Sequence, residues 1–295
     1  MNKNKLFWQI HKYFLYYLLS TILISCELVI SSPPPTITEY IPPSFTQTLT
    51  INITKKFSTT PTLIPFLHAV SISSGGDFNC ALTQAGDVMC WGTNYSGQLG
   101  IGKEFNNSDY PEKIKELSNI LSISSGSNYA CALTKDGAIY CWGDNDFGQL
   151  GNGDPLWQKI KLYKPTLISS LSTGNKYVDA SMNATTCAIS ENSTVKCWGY
   201  DYGDVLDKPT SVPVEINGLS GGVKSISVGV TQICALMKNG TIKCWGSNAV
   251  GQLGVRNKKE YRVPVDVLGL EKEAIKLSSG DNFTCALLID GTMKC

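Results

Sequence analysis

Residues 131–151 read Cys131-Ala132-Leu133-Thr134-Lys135-Asp136-Gly137-Ala138-Ile139-Tyr140-Cys141-Trp142-Gly143-Asp144-Asn145-Asp146-Phe147-Gly148-Gln149-Leu150-Gly151. Two cysteines stand with nine residues between them around a Lys-Asp-Gly turn, and a tryptophan and a run of turn residues follow. The same spacing recurs in Cys80/Cys90, Cys187/Cys197, Cys234/Cys244 and Cys285/Cys295. Successive pairs begin 51, 56, 47 and 51 residues apart. A period near 50 marks an internal repeat, and a repeat fixes the architecture before any local reading.

The text between the anchors recurs as well. Cys80-Ala81-Leu82, Cys187-Ala188-Ile189 and Cys234-Ala235-Leu236 echo Cys131-Ala132-Leu133, and Trp91-Gly92, Trp198-Gly199 and Trp245-Gly246 echo Trp142-Gly143. Asn94-Tyr95-Ser96-Gly97-Gln98-Leu99-Gly100 and Asn248-Ala249-Val250-Gly251-Gln252-Leu253-Gly254 repeat the tail. The third repeat departs from it with Tyr200-Asp201-Tyr202-Gly203-Asp204-Val205-Leu206. This pattern resembles the regulator of chromosome condensation repeat family over about 235 of the 295 residues. The resemblance implies a β-propeller.

The residues support that fold independently. Each cysteine pair brackets a hairpin centred on Gln84-Ala85-Gly86, Lys135-Asp136-Gly137, Lys238-Asn239-Gly240 or Ile289-Asp290-Gly291, with glycine where a three-residue loop needs a left-handed residue. Glu191-Asn192-Ser193 lacks that glycine. In this register 83 and 87 close the turn, and Cys80 faces Cys90 across a non-hydrogen-bonded pair, where Cα atoms approach to about 4.5 Å. That is within disulfide range. Five cross-strand disulfides are expected, the alternative being ten buried thiols packed as small core residues. A further strand is expected to start at Pro111, Pro165, Pro213 and Pro264 and to run to Leu117, Leu171, Leu219 and Leu270. An inner strand ending near Gly75, Gly126, Gly229 or Gly280 completes four strands, the content of a propeller blade. The fold expected is an all-β propeller of about five four-stranded blades over residues 61–295. Residues 61–67 are expected to close the ring by serving the last blade. The family more usually has seven blades, and Cys295 carries no following Trp-Gly, so the front part of a longer propeller is the alternative.

The N-terminal segment is read as a targeting device. Lys3, Lys5 and Lys12 precede an apolar run from Tyr13 to Ile24, which is short for a membrane span. Leu23-Ile24-Ser25-Cys26 resembles the lipobox of bacterial lipoproteins, which implies a signal peptide over 1–25 and a lipid on Cys26. Residues 26–60, rich in Pro, Ser and Thr, read as a disordered stalk, although Thr48 to Thr54 alternates like a strand. Export favours bonded cysteines.

Composition narrows the chemistry. Twenty-five basic against 24 acidic residues leave a net charge of +1, which argues against nucleic acid as a partner. There are only two histidines, His11 and His68. No nucleophile with a base, no phosphate-cradling loop and no cofactor motif stands apart from the repeat. Asp144, Asn145, Asp146 and Asp154 are calcium-ligand types, but EF-hand spacing is missing and the repeat signature accounts for most of them. The periodic tryptophans read as packing between blades. Trp157 alone is off-register, in the long connection 152–164; with Tyr200 and Tyr202 it is a candidate for partner binding.

The function expected is a monomeric, non-enzymatic binding module, exported and held at the membrane by its lipid, which offers propeller loops to a protein or glycan. The variable stretches 105–110, 152–164 and 201–208 form its expected face. The resemblance also implies two narrower readings. One is regulation of a small GTPase, as by the family's founding exchange factor; the other is capping of a β-lactamase, as by some secreted relatives.

Overall fold

The structure, a computed structural model, describes residues 68–200, 206, 208–219 and 221–295. The expected signal segment, Cys26, the stalk, the ring-closing residues 61–67 and Tyr202 lie outside the described residues. The rest is all-β, a propeller of five antiparallel blades. Blade 1 comprises β1 (Ala69–Ser74), β2 (Phe78–Thr83), β3 (Val88–Gly92) and β4 (Ser108–Lys113). Blade 2 comprises β5 (Ile120–Ser125), β6 (Tyr129–Thr134), β7 (Ile139–Asp144) and β8 (Lys161–Leu167). Blade 3 is β9 (Asn175–Ala180), β10 (Thr185–Ser190), β11 (Val195–Gly199) and β12 (Thr210–Glu215), and blade 4 is β13 (Val223–Val228), β14 (Gln232–Met237), β15 (Ile242–Gly246) and β16 (Tyr261–Asp266). In blade 5, β17 (Ala274–Ser279), β18 (Thr284–Leu288) and β19 (Met293–Lys294) make three strands among the described residues.

The hairpin register is the one the cysteine spacing requires. Cys80 faces Cys90, Cys131 faces Cys141, Cys187 faces Cys197 and Cys234 faces Cys244. All five pairs are bonded, with Cα atoms 4.0–4.1 Å apart. At the turn, Thr83 N–H donates to the carbonyl of Asp87 at 2.9 Å, and Gly86 takes φ 84°. Gly137, Gly240 and Gly291 do the same at 85°, 77° and 84°. In the third blade Ser193 is forced to φ 67°, a conformation that costs a Cβ-bearing residue free energy.

The outermost strands correct the expected frame. Each begins three or four residues before its proline and ends two after it, so Pro111, Pro165, Pro213 and Pro264 lie inside β4, β8, β12 and β16. A proline is tolerated there because an outer strand has one unpaired edge, where the missing N–H is not needed. The apolar residues three and six positions after the proline leave the sheet and enter the seam between blades. Ile114 and Leu117 are buried against blade 2, and Ile168 and Leu171 against blade 3.

Each described seam from blade 1 to blade 4 receives one indole. Trp142 of blade 2 packs with Leu99 and Ile114 of blade 1, Trp198 with Leu150 and Ile168, and Trp245 with Leu206. Leu206 follows Trp198 by eight residues, as Leu99 follows Trp91, so the third repeat keeps its seam leucine although the rest of the signature is gone. The indole N–H of Trp142 donates to Gln98 O, and that of Trp198 to Gln149 O, each at 2.9 Å. Glycine is required beneath them: a Cβ on Gly100 or Gly151 would lie 2.7 or 2.6 Å from the indole nitrogen.

The inner strands β1, β5, β9, β13 and β17 pack side by side in chain order. Here too one contact repeats at each junction. Ser73 Oγ accepts from Ser125 N, Ser124 Oγ from Ala180 N, and Ser227 Oγ from Ser279 N, at 2.8–2.9 Å. In the third blade this position is Asp179, whose Oδ2 accepts from Val228 N at 2.9 Å while Oδ1 accepts from Ser124 Oγ at 3.1 Å. Burial pushes the Asp179 carboxyl up to about 6, against the opposing pull of those hydrogen bonds.

Candidate partner-binding face

Within a blade the first and third strands end at the same side, so the connections that leave them share one face. The signature residues in those connections are consumed in shaping them. Asn94, Asn145 and Asn248 each accept the N–H of the seam leucine five residues on, at 3.0 Å. Gln98, Gln149 and Gln252 accept the N–H two residues back, at 2.8–3.1 Å. What remains for display are the variable positions inside the signature and the insertions that follow it.

In blade 1 these are Tyr95 and Phe105, whose ring centroids are 6.5 Å apart and which are 56% and 59% exposed. Lys161 from β8 reaches over Phe105 at 5.7 Å from the ring centre and donates to Tyr95 O at 3.0 Å. In blade 2 the connection carries Phe147 and Trp157, centroids 5.1 Å apart and nearly perpendicular. Tyr200, which opens the corresponding connection of blade 3, lies 4.9 Å from Phe147 and 5.9 Å from Trp157. Trp157 meets both other rings edge-to-face, an arrangement favourable for aromatic rings, and Phe147 and Tyr200 are tilted by 47°. Two of the three expected partner-binding residues, Trp157 and Tyr200, are thus brought together, and Tyr202 lies outside the described residues. Phe147 was not anticipated, because it falls within the repeat text; the signal for it was its place at a signature position that the fold leaves open.

The backbone of this face is strained where the side chains are large. Trp157 and Phe105 take φ 67° and 51°, and Lys159 takes 53°. Left-handed backbone in bulky residues costs of the order of 1–3 kcal/mol each and persists where neighbours over-determine it. Trp157 N–H donates to Asp146 O at 2.7 Å, which pins the turn and holds the indole 59% exposed. A pocket of about 280 Å³ opens beside the cluster between blades 2 and 3, lined by Asn128, Asp144, Phe147, Met182, Asn183 and Tyr200 among others.

Among the described residues no group of three His, Cys, Asp or Glu side chains is placed to hold an ion. Asn145 is spent on Leu150, Asn152 and Asp154, at 3.0, 3.1 and 3.1 Å.

Repeated antiparallel blades stapled by an indole at the seams from blade 1 to blade 4, with aromatic loops gathered on one side, define a repeat propeller that offers a rigid surface. Models of the regulator of chromosome condensation repeat match residues 69–98, 120–149 and 223–252, and in a longer form 85–133, 136–189 and 239–287. The chain belongs to this family. It is 31% identical over 248 residues to the human E3 ubiquitin-protein ligase HERC2, covering 79% of this chain but 5% of that protein. It is 30% identical over 241 residues to the Arabidopsis thaliana ultraviolet-B receptor UVR8, covering 77% of this chain and 53% of the receptor. The chain therefore spans about half the receptor and a small fraction of the ligase. Among solved structures, human WBSCR16 superposes with a TM-score of 0.66 at 23% identity, covering 75% of this chain and 57% of that one. Prp20p of Saccharomyces cerevisiae, described together with its binding properties to Gsp1p and histones, gives 0.64 at 21%, covering 73% and 55%. Likeness at that identity concerns the fold alone.

Proposed function

We propose that this protein is a non-enzymatic interaction module that binds a protein partner through the loop face of blades 1 to 3. One observation carries the reading. Phe147, Trp157 and Tyr200, from three separate points in the chain, converge within 4.9–5.9 Å of one another while Trp157 stays largely exposed. A rigid aromatic cluster beside a polar pocket is the usual anatomy of a binding hot spot. The module is exported and tethered through a lipid on Cys26. Five disulfides and the segment Leu23-Ile24-Ser25-Cys26 support that placement. Among the described residues no helix is long and apolar enough to cross a membrane.

The test has two arms. Intact mass of protein taken from the producing cell's membranes, with and without reduction and alkylation, reads the location: acyl chains on a polypeptide starting at Cys26 are expected, and an unprocessed chain with all 11 cysteines as free thiols overturns it. Cross-linking in place reads the face. Proteins trapped by the wild type are expected to be lost with Phe147→Ala plus Trp157→Ala and kept with Lys135→Ala, which changes an exposed turn at the opposite end of blade 2. Equal trapping by both variants rejects the face.

A further inference from the structure

The pocket between blades 2 and 3 contains one residue that the fold does not require. Asp144 follows Trp142 by two residues, the place held by Thr93 in blade 1 and Ser247 in blade 4. In blade 1 the task of that position is to accept from the signature glutamine: Gln98 Nε2 donates to Thr93 Oγ1 at 3.1 Å. In blade 2 Gln149 Nε2 donates to Asp144 Oδ2 at the same 3.1 Å. A hydroxyl therefore suffices for the repeat, and blade 2 carries a full charge instead. Burial holds the Asp144 carboxyl above its ordinary range, and the neighbouring Asp146 pushes the same way. A charge kept at such a cost beside a cavity suggests a task outside the fold.

The surroundings indicate what would answer it. Among the described residues Asp144 has no ion-pair partner. Lys161, paired with it across the β7–β8 ladder, is turned toward blade 1 by Tyr95 O and the Phe105 ring. Lys161 still offsets part of the Asp144 charge from that position, while Asp146 Oδ1 is buried with no hydrogen-bond partner among the described residues. The remaining walls are the rings of Phe147 and Tyr200, the thioether of Met182 and the amide side chains of Asn128 and Asn183. Aromatic faces around a carboxylate suit a planar cation, which can stack on a ring and donate to the acid at its edge.

We propose that this pocket is a receptor for an arginine side chain of the protein partner, with Asp144 as the counter-charge and Phe147 and Tyr200 as stacking walls. The inference rests on the binding face proposed above and specifies the chemistry that enters it. Its volume, about 280 Å³, is of the size of one long side chain rather than a folded element.

The experiment uses the full chain, labelled with ¹⁵N, and follows the Trp157 indole cross-peak during titration with N-acetyl-arginine amide. The neutral isostere N-acetyl-citrulline amide and N-acetyl-lysine amide are titrated alongside. Saturable shifts with arginine are expected, with lysine weaker and citrulline weaker by about tenfold or more, since a desolvated charge-assisted pair outweighs a neutral hydrogen bond. Asp144→Thr installs the residue of blade 1, keeps an acceptor for Gln149, and is expected to abolish arginine binding with an unchanged thermal midpoint within a few degrees. Equal binding of citrulline and arginine, tighter binding of lysine, or undiminished binding to folded Asp144→Thr overturns the proposal. The two readings fail separately. A partner cross-linked at the face but indifferent to Asp144→Thr removes the pocket and leaves the face; arginine binding without any partner lost in Phe147→Ala plus Trp157→Ala removes the face and leaves the pocket.

Discussion

Asp179 Oδ2 accepts the backbone N–H of Val228 at 2.9 Å, where Ser73, Ser124 and Ser227 offer a hydroxyl to the next blade. The carboxylate makes the contact between blades 3 and 4 sensitive to protons. Its folded value of about 6 lies above the ordinary unfolded value near 3.9. The folded state thus binds more protons than the unfolded one between these limits. Its stability contribution is largest below about pH 4 and is lost as pH rises through 6. The loss at neutral pH is at most about 3 kcal/mol, since each pKa unit is worth roughly 1.4 kcal/mol. Asp179→Asn keeps an acceptor for Val228 and is expected to be the more stable protein at pH 7, with the difference vanishing near pH 4. Denaturant midpoints from pH 4 to 7 measure it, and parallel curves for the two proteins would contradict the assignment.

The seam tryptophans make a second quantity measurable. Gly151 and Gly174 both have φ 70°, but a Cβ on Gly151 meets the Trp198 indole at 2.6 Å, whereas one on Gly174 meets nothing within 4 Å. Alanine at Gly174 is expected to cost about 1–2 kcal/mol for the left-handed backbone alone. Alanine at Gly151 should cost about 1–3 kcal/mol more, from overpacking. Urea unfolding of the pair isolates the indole contact; equal losses would show that the seam yields freely.

The third hairpin can be improved. Ser193 at φ 67° occupies the turn position held by Gly86, Gly137, Gly240 and Gly291. Ser193→Gly relieves the backbone but gives up the hydrogen bond from Lys176 Nζ at 3.0 Å. Lys176 can find water instead, so a net gain of about 0.5–1 kcal/mol is expected. A lower thermal midpoint in the variant would mean that the serine contact outweighs the strain.

The disulfides should not open together. Cys80, Cys131, Cys187 and Cys234 and their partners are buried, whereas Cys295 is exposed and Cys285 half-buried. Thiolate attack needs access, so a mild reductant under native conditions is expected to open Cys285–Cys295 first. Peptide mapping after brief reduction and alkylation reads the order. Each remaining bridge closes a short loop worth about 2–3 kcal/mol, so full reduction should lower the midpoint far more than the first step.

What could be read from the chain follows from what each residue does. The cysteine register and the turn glycines act over ten residues or fewer, so their spacing alone predicts the hairpins. The outer strands were displaced by three or four residues because proline marks a strand in text but only sits inside one in space; its neighbours Ile114 and Leu117 belong to a seam made with a blade further along. The inner strand of blade 3 carried no Ser-Gly ending to announce it, as Ser181 stands where Gly126 stands in blade 2. Phe147 and Asp144 were hidden for a different reason. Each occupies a variable position in a repeated phrase, and only superposition of blades shows that one repeat has put an aromatic ring or a charge where another has serine or threonine. Trp157 was legible because it matched nothing.

The seam contact also gives the stack a direction. Trp142 and Trp198 are donated backward to the blade before them, and the carbonyls of Gln98 and Gln149 receive them. Blade 2 thus has both a donor side and an acceptor side, like a monomer in a head-to-tail polymer. Copying one blade therefore reproduces a fitting joint on both flanks without any new chemistry. The display positions lie off that joint, so blades can multiply and their exposed loops diverge as two independent processes.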